Sequence, residues 1–194
     1  MANPYVGGAG AFLVETLLGL YIMAVMLRFL LQVVRADFYN PLSQFLVKIT
    51  NPPLQPLRRV IPGLWGVDLA SVVLLLGLES VEIWLISAML GGGASVGIPI
   101  AALAKLLELA IFIFVFAIII HVIMSWVNPH VYNPIVSLLY SLTEPLLAPA
   151  RRWIPPISGL DLSPILVIVG LQLISMLFVA PIADLARGMG VLLR

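Results

Sequence analysis

Four apolar stretches, each long enough to cross a bilayer, decide what this chain can fold into. A helix needs about 20 mostly apolar residues to traverse ~30 Å of hydrocarbon at 1.5 Å per residue. The stretches run from about Ala11 to Val34, Leu69 to Leu90, Pro99 to Val127 and Leu162 to Pro181. Of 194 residues, 62% are hydrophobic and only 10% charged, against about 45–50% and about 25% in a soluble domain. A soluble globular protein and a disordered chain are therefore excluded. Ten Lys and Arg against nine Asp and Glu leave +1, which gives no basic face to hold nucleic acid. Cysteine is absent, which removes disulfides, thiolate metal sites and cysteine nucleophiles together. The expected class is an all-α integral membrane protein with four transmembrane helices.

Charge in the connections sets an expected orientation. Arg35, Lys48, Arg58 and Arg59 lie between the first two spans, and Arg151 and Arg152 follow the third. The linker from Gly91 to Ile98 is uncharged, and the tail carries Arg187 and Arg194. Basic loops stay in the cytoplasm, so the long connections are expected inside and both termini outside. Met1 to Gly10 holds no Lys or Arg. The first span is therefore expected to remain in the mature chain and not to be removed as a signal peptide.

The chain also repeats itself, without a gap, at an offset of 93 residues. The pattern T-x-P-x-L-x-P-x-R-R-x-I-P-x-x-x-G-x-D-L runs from Thr50 to Leu69 and again from Thr143 to Leu162. From Tyr39 to Leu78, 17 of 40 positions match their images, including Tyr39 with Tyr132 and Asn40-Pro41 with Asn133-Pro134. Two repeats are expected, 1–93 and 94–194. Each holds two spans, an even number, so both enter the membrane from the same side as a parallel repeat.

Each long connection opens on an amphipathic pattern. Asn40 suits an N-cap and Pro41 the first helical position. Leu42, Phe45, Leu46 and Ile49 fall on one face and are repeated by Ile135, Leu138, Leu139 and Leu142, while Ser43, Gln44 and Lys48 are expected to face away. Such a helix lies in the membrane interface. Pro52, Pro53, Pro56 and Pro62, then Pro145, Pro149, Pro155 and Pro156, are expected to stop it early and leave compact, partly re-entrant loops.

This doubled, proline-spaced motif with its Arg-Arg pair resembles the YggT (YlmG-like) family, over essentially the whole chain and in its two-repeat bacterial form. The resemblance implies a non-catalytic protein of the bacterial inner membrane, with roles proposed in osmotic or extracytoplasmic stress and in ion uptake. Relatives are linked to cell division or nucleoid organisation, and plastid ones to haem attachment in a b-type cytochrome. It brings no catalytic residue with it.

Several residues stand out as candidates. Arg58, Arg59, Arg151 and Arg152, with Trp153 beside them, are suited to anionic lipid headgroups or to a membrane or cytoplasmic protein partner. Their plainer reading is that they only set orientation. Trp65, Trp126 and Trp153 read as interfacial anchors, and Glu15 as interfacial. Asp68 and Asp161 precede the second and fourth spans, where capping is the first reading and a salt link to the arginines the second.

Charge within the spans is the usual sign of function in a membrane. In repeat register Arg28 maps onto His121, Gln32 onto Ser125, Glu79 onto Gln172 and Glu82 onto Ser175. An Arg28–Glu79 pair is expected inside the bundle, with Glu82 one turn deeper. It reads as a structural ion pair or, more sharply, as a cation or proton pathway flanked by Gln172 and Ser175. Lys105 and Glu108 are expected to pair locally. His121 reads first as a hydrogen-bonded packing residue. As a haem ligand it would need a second axial ligand, and His130 lies in a loop. No metal-ligand spacing is present, and no cofactor is expected. Three functions follow: a membrane organiser or assembly factor, a small cation transporter that would need to form a homo-oligomer, or a cytochrome maturation aid.

Overall fold

The computed structural model describes residues 4–64, 66–127, 133–154 and 161–191. Trp65, His130, Tyr132, Pro155 and Pro156 lie outside them. Helices α1 (Pro4–Val33), α3 (Leu69–Met89) and α4 (Ile98–Val127) are three of the expected spans. The fourth is a continuous helix made of α6 (Ser163–Ile174), a π-helical segment (Ser175–Val179) and α7 (Ala180–Gly188). Among the described residues the only β structure is an isolated bridge between Leu64 and Val67.

α1 packs on α3 and α4 on the fourth span, while α3 against α4 joins the halves. The central core is built from Ile22, Val25, Met26 and Leu30 of α1, Leu75 of α3, and Leu106, Ile113 and Ala117 of α4. Many large apolar side chains, among them Phe12, Leu17, Phe112 and Phe116, point outward. On a membrane span that is the lipid-facing surface.

The amphipathic segments are longer than expected. α2 (Pro41–Val60) and α5 (Pro134–Trp153) are unbroken 20-residue helices that run through their prolines. The expected loops are thus confined to the short connections that follow. Proline lacks the N–H that would bond the carbonyl four residues back, so Pro53 frees the carbonyl of Ile49. Tyr21 of α1 donates its hydroxyl to that oxygen at 3.3 Å, and the packing of α2 on α1 repairs the gap. The buried stripe also differs from the expected one, being Ser43, Leu46, Thr50 and Leu54. Ser43 turns inward because its hydroxyl donates to the carbonyl of Asp37 at 3.0 Å, leaving Leu42 and Phe45 exposed. Both N-caps form as the sequence indicates: Asn40 and Asn133 accept from the backbone N–H of Leu42 and Ile135. Asn40 also donates to the carbonyl of Pro134 at 2.6 Å, a direct bond from one half to the other.

α1 begins seven residues before Ala11, and the fourth span does not stop at Pro181. The π-helical segment shifts the hydrogen-bond pattern just ahead of this proline, and Ala180 donates five residues back to Ser175. That wider turn accommodates a residue with no N–H. The helix continues to Gly188, and its tail closes on the start of α4, where Ser95 donates to the carbonyl of Met189 at 2.6 Å. Gly97 is required there: a Cβ would stand 2.8 Å from Met189 Cβ and 2.9 Å from Val191 Cγ2.

Candidate functional site

The duplicated motif builds the same clamp twice. At the end of α2 the Arg58 guanidinium donates to Asp68 Oδ2 through Nε, at 3.1 Å, and through Nη2. Ser71 adds a third bond to that oxygen at 2.6 Å. At the end of α5, Arg151 Nε donates to Asp161 Oδ2 at 2.8 Å, and its Nη1 reaches both oxygens of Glu144 at 3.0 and 3.1 Å. Burial pushes both aspartates up, but the hydrogen bonds outweigh it. Arg58 and Ser71 hold Asp68, and Ser163 and Arg151 hold Asp161, below the ordinary carboxylate value of 3.8. The salt link is therefore the role of the Asp68 side chain, which makes no cap bond. Asp161 does both, since its Oδ1 accepts from the Ser163 N–H at 2.9 Å.

The second arginine of each pair behaves differently. Arg59 and Arg152 are exposed and make no ion pair among the described residues. Trp153 is 83% exposed beside Arg152, and Trp126 is 75% exposed at the end of α4. Each Arg-Arg pair thus divides into a locked member and a free one.

Deeper in each half a span side chain meets the amphipathic helix that follows it, α2 or α5, which forms a belt across the bundle. Arg28 is buried and donates to Thr50 Oγ1 at 2.7 Å and to Asn51 Oδ1 at 2.9 Å. His121, its repeat image, is buried with Nδ1 2.7 Å from Thr143 Oγ1 and its ring centroid 4.1 Å from that of Tyr140. The threonines are themselves repeat images, so one contact recurs in place while the span side chain that makes it changes from arginine to histidine.

The expected Arg28–Glu79 pair does not form. Arg28 lies about 7 Å inside its end of α1 and Glu79 about 15 Å inside the same end of α3. The guanidinium finds nearer acceptors on α2, and Glu79 faces a cation on α4 instead. Lys105 Nζ lies 3.1 Å from Glu79 Oε1 and 3.5 Å from Glu82 Oε1, with both glutamates buried. The local Lys105–Glu108 pair does not form either, and Glu108 is exposed. Hairpin register would have found the true partner, since Glu82 is seven residues before the end of α3 and Lys105 seven after the start of α4. Gln172 is exposed on the fourth span and does not flank this cluster, while Ser175 sits half-buried in the π-helical segment. Among the described residues no group of three His, Cys, Asp or Glu side chains is placed to hold a metal ion.

Four apolar spans, two amphipathic belts and paired clamps define a polytopic helical membrane protein assembled from a doubled helix–belt–helix unit. The CCB3/YggT family model matches residues 8–89 and again 100–182, and the chain belongs to that family. It is 47% identical to an uncharacterised protein of Pseudomonas aeruginosa over 178 residues, covering 90% of each chain. It is 44% identical over 165 residues to an uncharacterised protein from the proC 3′ region of Vibrio alginolyticus, covering 84% of this chain and 89% of the relative. With the uncharacterised protein YggT of Escherichia coli K12 the identity is 37% over 168 residues, covering 85% of this chain and 86% of that one. No solved structure matches.

Proposed function

We propose that this protein is a non-catalytic organiser of the bacterial inner membrane, which recruits an acidic protein partner to an anionic leaflet through Arg59 and Arg152. The observation that carries this reading is the division of each Arg-Arg pair. A clamp fixes the belt against the following span, and the neighbouring arginine is left exposed at the interface, twice. Interfacial cations of this kind contribute about 1 kcal/mol each near an anionic surface. The belts face the cytoplasm, the outer ends of α1 and α7 lie on the far side, and the work of the protein is tied to osmotic or extracytoplasmic stress.

The chain has no cysteine, so a cysteine in place of the exposed Val60, beside Arg59, is a unique reporter of sidedness and of crosslinked neighbours that leaves both arginines intact. Labelling by an impermeant maleimide only after the inner membrane is opened supports the orientation. Loss of both crosslinked partners and stress tolerance in Arg59→Glu/Arg152→Glu supports the recruitment role. Unchanged partners and unchanged tolerance sink it.

A second reading rests on a separate observation. Two buried carboxylates share one lysine, and among the described residues Glu82 Oε2 has no hydrogen-bond partner. A transported cation is the natural further partner for that surplus negative charge. Potassium and proton flux in proteoliposomes, compared with Glu79→Gln/Glu82→Gln, decides it: flux that persists in the variant excludes this route.

A further inference from the structure

We propose that the cleft between α1, α2 and the connection into α3 is a binding site for a phosphate-bearing anion, received by the guanidinium of Arg28. The cleft has a volume of about 700 Å³, and its polar wall is formed by Arg28, Gln32, Asn51, Arg58 and Asp68. Pockets of this size accept a headgroup-sized ligand.

Arg28 carries its positive charge in a buried position. The residue is 5% exposed, yet both oxygens it touches, on Thr50 and Asn51, are neutral. Among the described residues its buried Nε has no hydrogen-bond partner and no carboxylate lies within ion-pair distance of it. A buried cation without a counter-ion is strongly unfavourable, because desolvation is not offset by attraction. Asp68 does not fill that role, since its Oδ2 is already taken by Arg58 and Ser71. Two arginines against one aspartate leave the lining with one positive charge in excess.

The chemistry of the missing partner follows from the donors. A guanidinium has five N–H groups in a planar fork, and among the described residues Arg28 uses two of them. The remaining donors suit the tetrahedral oxygens of a phosphate group. Arg28 lies about 7 Å inside the end of α1, a depth its long side chain spans to reach the headgroup level. The ligand is thus the phosphate of an anionic phospholipid or a soluble phosphate.

The second half supplies the contrast. Its corresponding cleft has a volume of about 240 Å³, and His121, Ser125, Arg151 and Asp161 stand where the first has Arg28, Gln32, Arg58 and Asp68. Arg151 there faces two carboxylates, Asp161 and Glu144. Among the described residues lining it no surplus cation awaits an anion, so one site is expected per chain. The site is separate from Arg59 and Arg152, which are not part of its lining.

The full chain, purified in a neutral detergent, is probed with phosphatidylglycerol, phosphatidylcholine and inorganic phosphate, with retained lipid read by native mass spectrometry and stability by Tm. The key variant is Asn51→Asp, which keeps an oxygen acceptor beside Arg28 while placing a counter-charge there. It is expected to keep or raise Tm and to weaken anion binding about tenfold, the worth of one charge-assisted bond. Arg28→Gln should lose binding as well, and Arg59→Ala/Arg152→Ala should not. Retention of one phosphatidylglycerol that phosphate does not displace identifies a lipid site. Displacement by phosphate, or a Tm rise with phosphate alone, identifies a soluble anion at the same residues. Three results overturn the proposal: no binding by the unmodified chain, equal retention of phosphatidylcholine, or undiminished binding by Asn51→Asp.

Discussion

Arg28 donates to Thr50 Oγ1 at 2.7 Å across 22 residues of chain, and His121 meets Thr143 at the same distance and separation. Both threonines are fully buried and also donate back to their own helix, to the carbonyls of Leu46 and Leu139. The contact ties each first span to its belt, so the angle of the belt is fixed by a side chain from inside the bundle.

Thr50→Val should therefore lower stability by about 1–3 kcal/mol, the cost of leaving a buried donor unsatisfied. Thr143→Val should cost less, because the lost bond is to an imidazole and not to a guanidinium. Thermal unfolding in detergent, read as the difference in Tm between the two variants, checks the order.

The aspartate clamps should also differ in strength. Asp68 is 6% exposed and Asp161 33%, so solvent screens the second more. Asp68→Asn is expected to cost about 1.5–3 kcal/mol, as for a hydrogen bond to a charged group, and Asp161→Asn about 1 kcal/mol or less. Both carboxyls lie below 3.8 when folded. Their contribution is complete above 3.8 and is lost as pH falls from there through the lowered folded values. On acidification the unmodified chain should lose more stability than Asp68→Asn/Asp161→Asn, and parallel losses would refute the linkage.

Lys105→Met leaves Glu79 and Glu82 buried together without a cation. Removing one partner of a buried pair costs about 3–5 kcal/mol, and the one-third exposure of Lys105 places this case toward the lower end. Adding Glu79→Gln and Glu82→Gln to Lys105→Met should restore most of the loss. Failure of that rescue in a Tm series would mean that Lys105 acts through packing and not through charge.

Gly97→Ala should cost about 1–3 kcal/mol, typical of overpacking, since its Cβ would press on Met189, Val191 and the carbonyl of Ala186, 3.1 Å away. Limited proteolysis near Met189 should accelerate with the loss of Tm. An unchanged cleavage rate would show that the tail does not depend on this contact.

The spans and both N-caps were legible because hydropathy and the Asn-Pro signature are local. The clamps were legible only as an alternative, since Arg58 and Asp68 are ten residues apart and their meeting depends on how the intervening turn closes. The belts misled because proline argues against a helix interior, and nothing local shows that Tyr21 would satisfy a freed carbonyl. The Arg28–Glu79 expectation failed for a different reason. Depth counted from one end of the membrane says nothing of the other end, where the short connection between α3 and α4 sets Glu82 and Lys105 level.

The cation for Glu79 and Glu82 comes from a part of the chain that is synthesised later. When α3 first leaves the ribosome its two carboxylates have no partner, and Lys105 follows only after the glycine-rich linker. Acidic side chains near the middle of a helix oppose its transfer into lipid by a few kcal/mol each. α3 and α4 therefore gain by being inserted as a hairpin, each making the other acceptable to the bilayer. A protein cut between its two halves would forfeit that order of events, however faithfully the sequence of each half repeats the other.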